Sequence, residues 1–213
     1  MKEIIIIGAG NFGREVAWLI EDINNQGNKY RVLGYLDDTE SLIGQTVQNY
    51  KVLGNIEYLR DICQNNKVCC VIAMQDTNAR KSIVEKLEWF DEWENLIHPS
   101  AIISDRTILG KGNIIAANNT LSVDVTIGNH CLLNIGCTIG HDCVLDDYVS
   151  IMSNSALGGG VKIREGAYLG TTVSVVPGKT IGEFSKVGIG SVVIRDVKSR
   201  TTVMGNPAKL LKF

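Results

Sequence analysis

The sequence has no surplus of charge, no long apolar run and few histidines, and each shortage removes a class of function. Lysine and arginine number 21 against 23 aspartates and glutamates, a net charge of −2, so no basic face marks nucleic acid as a partner. The opening Met1 to Gly10 carries one lysine and a short apolar run that glycines end. That run is shorter than a signal peptide or a membrane span requires, so a cytoplasmic protein with no membrane span is expected. Six cysteines without an export signal argue against a disulfide framework. Cys131, Cys137 and Cys143 fall six apart, but serine, alanine and valine fill the equivalent places elsewhere, so they read as small core filler and no metal is expected. Histidine, the side chain best suited to proton transfer near neutral pH, occurs only as His98, His130 and His141.

What the chain has in place of these is a period. From Ile103 through Leu109, Ile115 and Leu121 to Val193, an aliphatic residue returns at every sixth position without a break. Neither the 3.6-residue helix nor the two-residue strand alternation demands a period of six, so the repeat describes a coil whose faces are six residues long. The residue after the aliphatic is often glycine (Gly110, Gly128, Gly140, Gly158, Gly170, Gly182, Gly188) or Asn134, and is expected to turn the corner. The residue two before it is usually small. Three faces make an eighteen-residue triangular coil, and the segment from Ile97 to Val193 holds about five, roughly 25 Å tall.

Before the coil, Glu3 to Ile7 reads as a buried strand running into Gly8-Ala9-Gly10-Asn11-Phe12-Gly13 and then into a helix bearing Val16, Leu19, Ile20 and Ile23 on one face. Tyr30 to Leu36 is a second strand ending in Asp37-Asp38. This βαβ opening carries the spacing of a dinucleotide fingerprint, in which the glycines let a phosphate approach the helix N-terminus. The alternative is that the glycines only permit the turn and that the aspartates are solvated. A loop and hairpin-like stretch from Thr39, a helix capped by Asn55, a third strand from Val68 to Met74 and a helix over Arg80 to Phe90 complete a small Rossmann-like parallel sheet with helices. The expected boundaries are 1–96 for this domain and 97–213 for the coil. Too few strands precede Ile97 for a full dinucleotide fold, which counts against NAD.

The period-six coil, with Val203 to Lys209 (VMGNPAK) as its closing motif, resembles the left-handed parallel β-helix of the hexapeptide-repeat acyltransferases. With the βαβ opening, the resemblance extends over nearly the whole chain to the group containing sialic-acid O-acetyltransferase-like and nucleotide-amino-sugar N-acetyltransferase proteins. It implies an enzyme that moves acetyl from acetyl-CoA to the amine of a nucleotide-linked amino sugar in surface-glycan biosynthesis. His141 is implied as general base with Asp142 orienting it, although adjacent residues on an extended strand point apart and their contact needs a bent backbone. Asn134 and Ser150 are implied beside the acceptor, Ser150 standing where some relatives carry a second histidine. Gly8, Gly10, Asn11, Phe12, Asp37 and Asp38 are implied at the nucleotide sugar, with Phe12 and Gln75 departing from the histidine and glycine of many relatives. Gly158, Gly159, Gly188, Ile189 and Lys209 are implied at acetyl-CoA, and a homotrimer with the co-substrate between neighbouring coils.

Two further readings stay open beside it. A hydroxyl acceptor would make the protein a sugar O-acetyltransferase, and the departures at Phe12, Gln75 and Ser150 keep a non-catalytic nucleotide-binding module in view. The same coil hosts zinc lyases with three histidine ligands gathered across a subunit interface, but the wide spacing of His98, His130 and His141 counts against that class.

Overall fold

The computed structural model describes residues 1–211; the last two residues of the expected coil domain lie outside the described residues. Strand β1 (Lys2–Ile7) is an interior strand of a five-stranded sheet of order β3-β4-β2-β1-β5. Its neighbours β2 (Tyr30–Leu36) and β5 (Val68–Ile72) run parallel to it. Alternation sends Ile4 and Ile6 to one face and Ile5 and Ile7 to the other, and all four are fully buried. Helix α1 (Asn11–Asn25) covers the first face; α2 (Leu59–Asn65) and α3 (Thr77–Lys86) cover the second. The hairpin-like stretch is an antiparallel pair, β3 (Thr46–Val47) with β4 (Tyr50–Gly54). Asn55 caps a short 3-10 turn ahead of α2, and the Asp76 side chain accepts from the Ala79 amide to cap α3. Helix α3 ends at Lys86 rather than continuing to Phe90, whose ring packs into the second core.

From β6 (Leu96–Ile97) onward the chain winds as a left-handed parallel β-helix of two-residue strands. As far as Ser174–Val175 each strand pairs with the strand eighteen residues on, as Thr120 with Thr138, Thr126 with Val144 and Leu132 with Ser150, and the last turn shortens the step to sixteen, Lys186 pairing with Thr202. Three sheets result. The aliphatic residue and the small residue two before it both point inward, so Cys131, Cys137 and Cys143 are core filler, each 1% exposed or less.

The corners turn at a different place from the one expected. The glycine after each aliphatic does not carry the left-handed backbone; the residue two further on does. Asn118, Asp124, His130, Gly136, Asp142, Tyr148, Asn154 and Gly160 all have φ between +54° and +74°, again at a period of six. Asparagine, aspartate and glycine tolerate that region best, which is why they recur there. The earlier glycines answer to crowding: a Cβ on Gly140 would stand 2.7 Å from the Gly159 amide nitrogen of the next coil.

The first sheet of the coil, containing β6, receives the N-terminal domain. Its outward residues Leu96, Ile114, Leu132 and Tyr168 join the core beneath α1, whereas the outward places of the next sheet hold Thr120, Thr138 and Ser174. Burial of this apolar stripe fixes one domain on the other. Arg80, 2% exposed, completes the contact. Its guanidinium donates to the Met74 and Gln75 carbonyls within its own domain and to the His130 and Tyr148 carbonyls and the Ser150 hydroxyl across the boundary, at 2.7–3.0 Å.

His130 lies in the same junction, 4% exposed, stacked on Tyr148 and edge-on to Trp93. Burial, and then the Arg80 charge, push its pKa down to about 4. The unfolded chain takes up this proton near pH 6.5 and the folded chain does not, so stability is fully present above pH 6.5 and declines as pH falls toward 4. The expected loss is about 3 kcal/mol. Urea denaturation at pH 7.5 and 4.5 measures it, and the His130→Asn variant, which keeps a residue suited to the left-handed corner, should show a shallower pH dependence over that window.

Candidate functional site

At the carboxyl ends of β1, β2 and β5, three loops converge where the strand order reverses, the position at which open α/β sheets take ligands. Gly8 has φ +106°, and a Cβ on Gly13 would collide with the Gly8 carbonyl, so both glycines are required by the turn itself. Gly10 is different. Its φ of −74° suits any residue, and a Cβ there would meet nothing within 4 Å. It caps α1 with no side-chain bond, and no acidic residue stands in the first turn. The open approach over Gly10 therefore ends on the free amides of a helix N-terminus, an arrangement that takes phosphate.

Asp37 is not placed for the ribose or base contact expected of it. It is 8% exposed, and its carboxylate accepts from the Ala9 amide at 2.7 Å and the Thr39 amide at 2.9 Å, bracing the glycine loop. Burial opposes its charge, but these hydrogen bonds outweigh burial and hold its pKa below the usual carboxylate value. Asp38 is exposed, accepts from the Ile56 amide and pairs with Lys86 at 3.4 Å. Asn11 accepts from Arg14. Phe12 packs against the core beneath α1 and lines a cleft between the domains.

That cleft is lined by Phe12, Glu15 and Trp18 from α1 and by His98, Ala117 and Asn134 from the coil. Asn134 is 7% exposed; its side-chain oxygen accepts from the Ile135 amide, and its side-chain NH2 has no acceptor among the described residues. Ser150, expected near the same place, is fully buried beneath the N-terminal domain, where its hydroxyl donates to the Gln75 carbonyl and accepts from Arg80. Its strand lies on the covered sheet, so this side chain belongs to the domain junction.

His141 and Asp142 stand at another corner. Asp142 has φ +57°, which bends the backbone enough to bring adjacent side chains together. His141 Nδ1 and Asp142 Oδ2 are 2.7 Å apart, with both side chains largely exposed. The ring lies over Gly159 of the next coil, and any Cβ there would collide with it. A carboxylate on Nδ1 favours the tautomer whose Nε2 carries a free lone pair, the form that accepts a proton. The three histidines occupy three different corners, and no cluster of three metal-binding side chains occurs among the described residues.

Among the residues expected at acetyl-CoA, the Gly158 and Gly188 amides are used in the coil, donating to Val175 and Val203. The Gly159 and Ile189 amides have no acceptor among the described residues. Ile189 is 61% exposed. Lys209 is exposed on a closing strand paired with Met204. Asn134 and His141 flank the strand Thr138–Ile139 at opposite edges of one face, so a single chain does not bring them together. The left-handed corners were recoverable from the recurrence of Asn, Asp and Gly three residues after the aliphatic; the role of Arg80 had no sequence signal.

Comparison with known proteins gives a consistent set of relatives. Residues 3–87 match the PglD N-terminal domain family. The chain is 34% identical over 119 residues to UDP-N-acetylbacillosamine N-acetyltransferase of Bacillus subtilis, covering 55% of this chain and 52% of that protein. It is 30% identical over 125 residues to GDP-perosamine N-acetyltransferase of Escherichia coli O157:H7, covering 58% and 55%. The matched region thus spans about half the length of these curated relatives. Over the full fold, PerB from Caulobacter crescentus in complex with CoA and GDP-perosamine superposes with a TM-score of 0.89 at 30% identity, covering 100% of this chain and 98% of that one. The acetyltransferase domain of PglB from Neisseria gonorrhoeae, in complex with acetyl coenzyme A, superposes with a TM-score of 0.89 at 28% identity, covering 99% of each.

Proposed function

Because the chain belongs to the hexapeptide-repeat nucleotide-amino-sugar N-acetyltransferases, we propose that it transfers acetyl from acetyl-CoA to the amine of a nucleotide-linked amino sugar, as a step in surface-glycan biosynthesis. The observation that carries this reading is the His141–Asp142 pair at an exposed corner, with Nε2 left free. The amine nitrogen attacks the thioester carbonyl while His141 Nε2 takes its proton. Collapse of the tetrahedral intermediate breaks the C–S bond, and the imidazolium returns the proton to the departing thiolate. Asp142 holds the ring and favours its charged form during transfer. The free amides of Gly159 and Ile189 are suited to the pantetheine arm, and Lys209 to a CoA phosphate.

The positions of Asn134 and His141 on opposite edges of a face support assembly. Copies set side by side bring one chain's His141 corner to its neighbour's cleft, a heterologous contact that closes as a ring; we propose a homotrimer. The panel that tests the function is acetyl-CoA with UDP-, GDP- and dTDP-linked 4-amino sugars and with sialic acids, read by mass spectrometry of the acetylated product. Acetylation of an amine bears out the reading; a product on a hydroxyl alone would make the protein an O-acetyltransferase; no product from any acceptor would refute it.

The nucleotide end has its own test. Gly10→Ala is expected to leave thermal stability unchanged and to weaken nucleotide-sugar binding at least about tenfold, because the added methyl occupies the approach to the α1 amides. Isothermal calorimetry measures the change. Unaltered affinity would remove phosphate from this loop.

A further inference from the structure

Among the described residues that line the interdomain cleft, the ionisable side chains are Glu15 and His98. His98 is already engaged on both sides: Nε2 lies 3.2 Å from the Asp22 carboxylate, and Nδ1 lies 2.8 Å from the Ser100 hydroxyl. Glu15 has no ion-pair partner among the described residues. Neither the glycine loop nor the His141 pair uses it. Asn134, 7% exposed, lines the same cleft; its side-chain oxygen is fixed by the Ile135 amide, and its NH2 has no acceptor among the described residues. The rest of the lining, including Phe12, Trp18, Ala117 and Ile135, is apolar.

An amine and a hydroxyl of similar size differ little in shape, so discrimination between them has to come from charge. A sugar amine is largely protonated near neutral pH, and an exposed, unpaired carboxylate at the mouth of an apolar cleft attracts that ammonium and does nothing comparable for a hydroxyl. The Asn134 donor complements a sugar oxygen but gives no preference for nitrogen. We propose that Glu15 is a specificity-determining residue that selects an amino sugar over its hydroxyl counterpart in this cleft. The proposal rests on the reading of the cleft as the acceptor site. Glu15 recognises the ammonium; one proton then leaves to solvent before the free amine attacks, and the second goes to His141.

The test uses the full-length chain without acetyl-CoA, so that binding is read apart from turnover. UDP-4-amino-4-deoxyglucose is compared with UDP-glucose, and GDP-4-amino-4-deoxymannose with GDP-mannose, by calorimetry at low and high salt. For at least one pair the native chain is expected to hold the amine about fivefold more tightly at low salt, a preference that shrinks at high salt. Glu15→Gln should remove the preference by weakening the amine alone, leaving affinity for the hydroxyl sugar unchanged. Equal affinities in the native chain, or a preference that survives in Glu15→Gln, would overturn the proposal. If the native chain shows the preference and the variant loses it, but no acetyl is ever transferred, the proposed activity fails and the recognition by Glu15 stands.

Discussion

His141→Ala is expected to lower kcat for acetyl transfer by about 10²–10⁴ while leaving nucleotide-sugar affinity unchanged. The two effects separate because the imidazole belongs to the Asp142 corner of the coil, whereas the proposed phosphate site is the glycine loop at the N-terminus of α1. An alanine removes the proton acceptor and nothing that touches the nucleotide loop. Asp142→Asn should act in the same direction with a smaller effect, about tenfold to a hundredfold. The amide no longer favours a proton on Nδ1, so part of the population presents Nε2–H to the acceptor and is inactive. Steady-state kinetics with the acetylated product measured directly would check both variants. Turnover in His141→Ala within a factor of a few of the native rate would remove His141 as the base.

The second large effect is on stability. Arg80→Met is expected to cost about 3–5 kcal/mol in unfolding free energy. Methionine fills much of the same volume, so the loss comes from the acceptors: of the six groups that receive a guanidinium hydrogen bond, the Met74, His130 and Tyr148 carbonyls would be left buried and unpaired. Burial lowers the arginine's own pKa to about 10, which still leaves it charged at neutral pH. It has no carboxylate partner within 4 Å among the described residues, so the carbonyls and the Ser150 hydroxyl carry the whole compensation. Chemical denaturation of the variant measures the loss. Arg80→Lys should recover a minor part of it, since an ammonium has three donors and cannot reproduce the planar spread of the guanidinium. A variant that unfolds within 1 kcal/mol of the native chain would show that the apolar contact alone joins the domains.

How much of this was legible in the sequence varies with the physics at each place. The coil was fully legible because one inward aliphatic every six residues is a constraint repeated through the whole second half, and no other backbone form imposes it. The reason for the glycines is not legible, because a turn that needs a left-handed residue and a turn that needs the absence of a Cβ both ask for glycine. Only the coordinates separate Gly140, crowded by the next coil, from Asp142, which bears the positive φ. The βαβ opening was legible from Gly8, Gly10 and Gly13, but the use of Asp37 was not: a carboxylate after a strand reads the same whether it awaits a ribose or braces its own loop. Ser150 was misplaced because its surroundings depend on which sheet the N-terminal domain covers. A trace of that choice is present in the sequence, since the outward residues Leu96, Ile114, Leu132 and Tyr168 recur every eighteen positions with Ser150 among them. Arg80 left no trace, because its acceptors are mostly carbonyls, which every residue has.

That last property bears on how such proteins can be recombined. Across the domain boundary Arg80 addresses main-chain oxygens at His130 and Tyr148, and a side chain only at Ser150. Main-chain oxygens stay in place when the residues carrying them change, so the junction tolerates drift in the coil's sequence provided its backbone path is kept. An N-terminal half grafted from a relative with the same arginine would find most of its anchor points already present on a foreign coil. The N-terminal domain and the coil can therefore diverge separately, and chimeras joined just before Leu96 are the natural way to pair one with another.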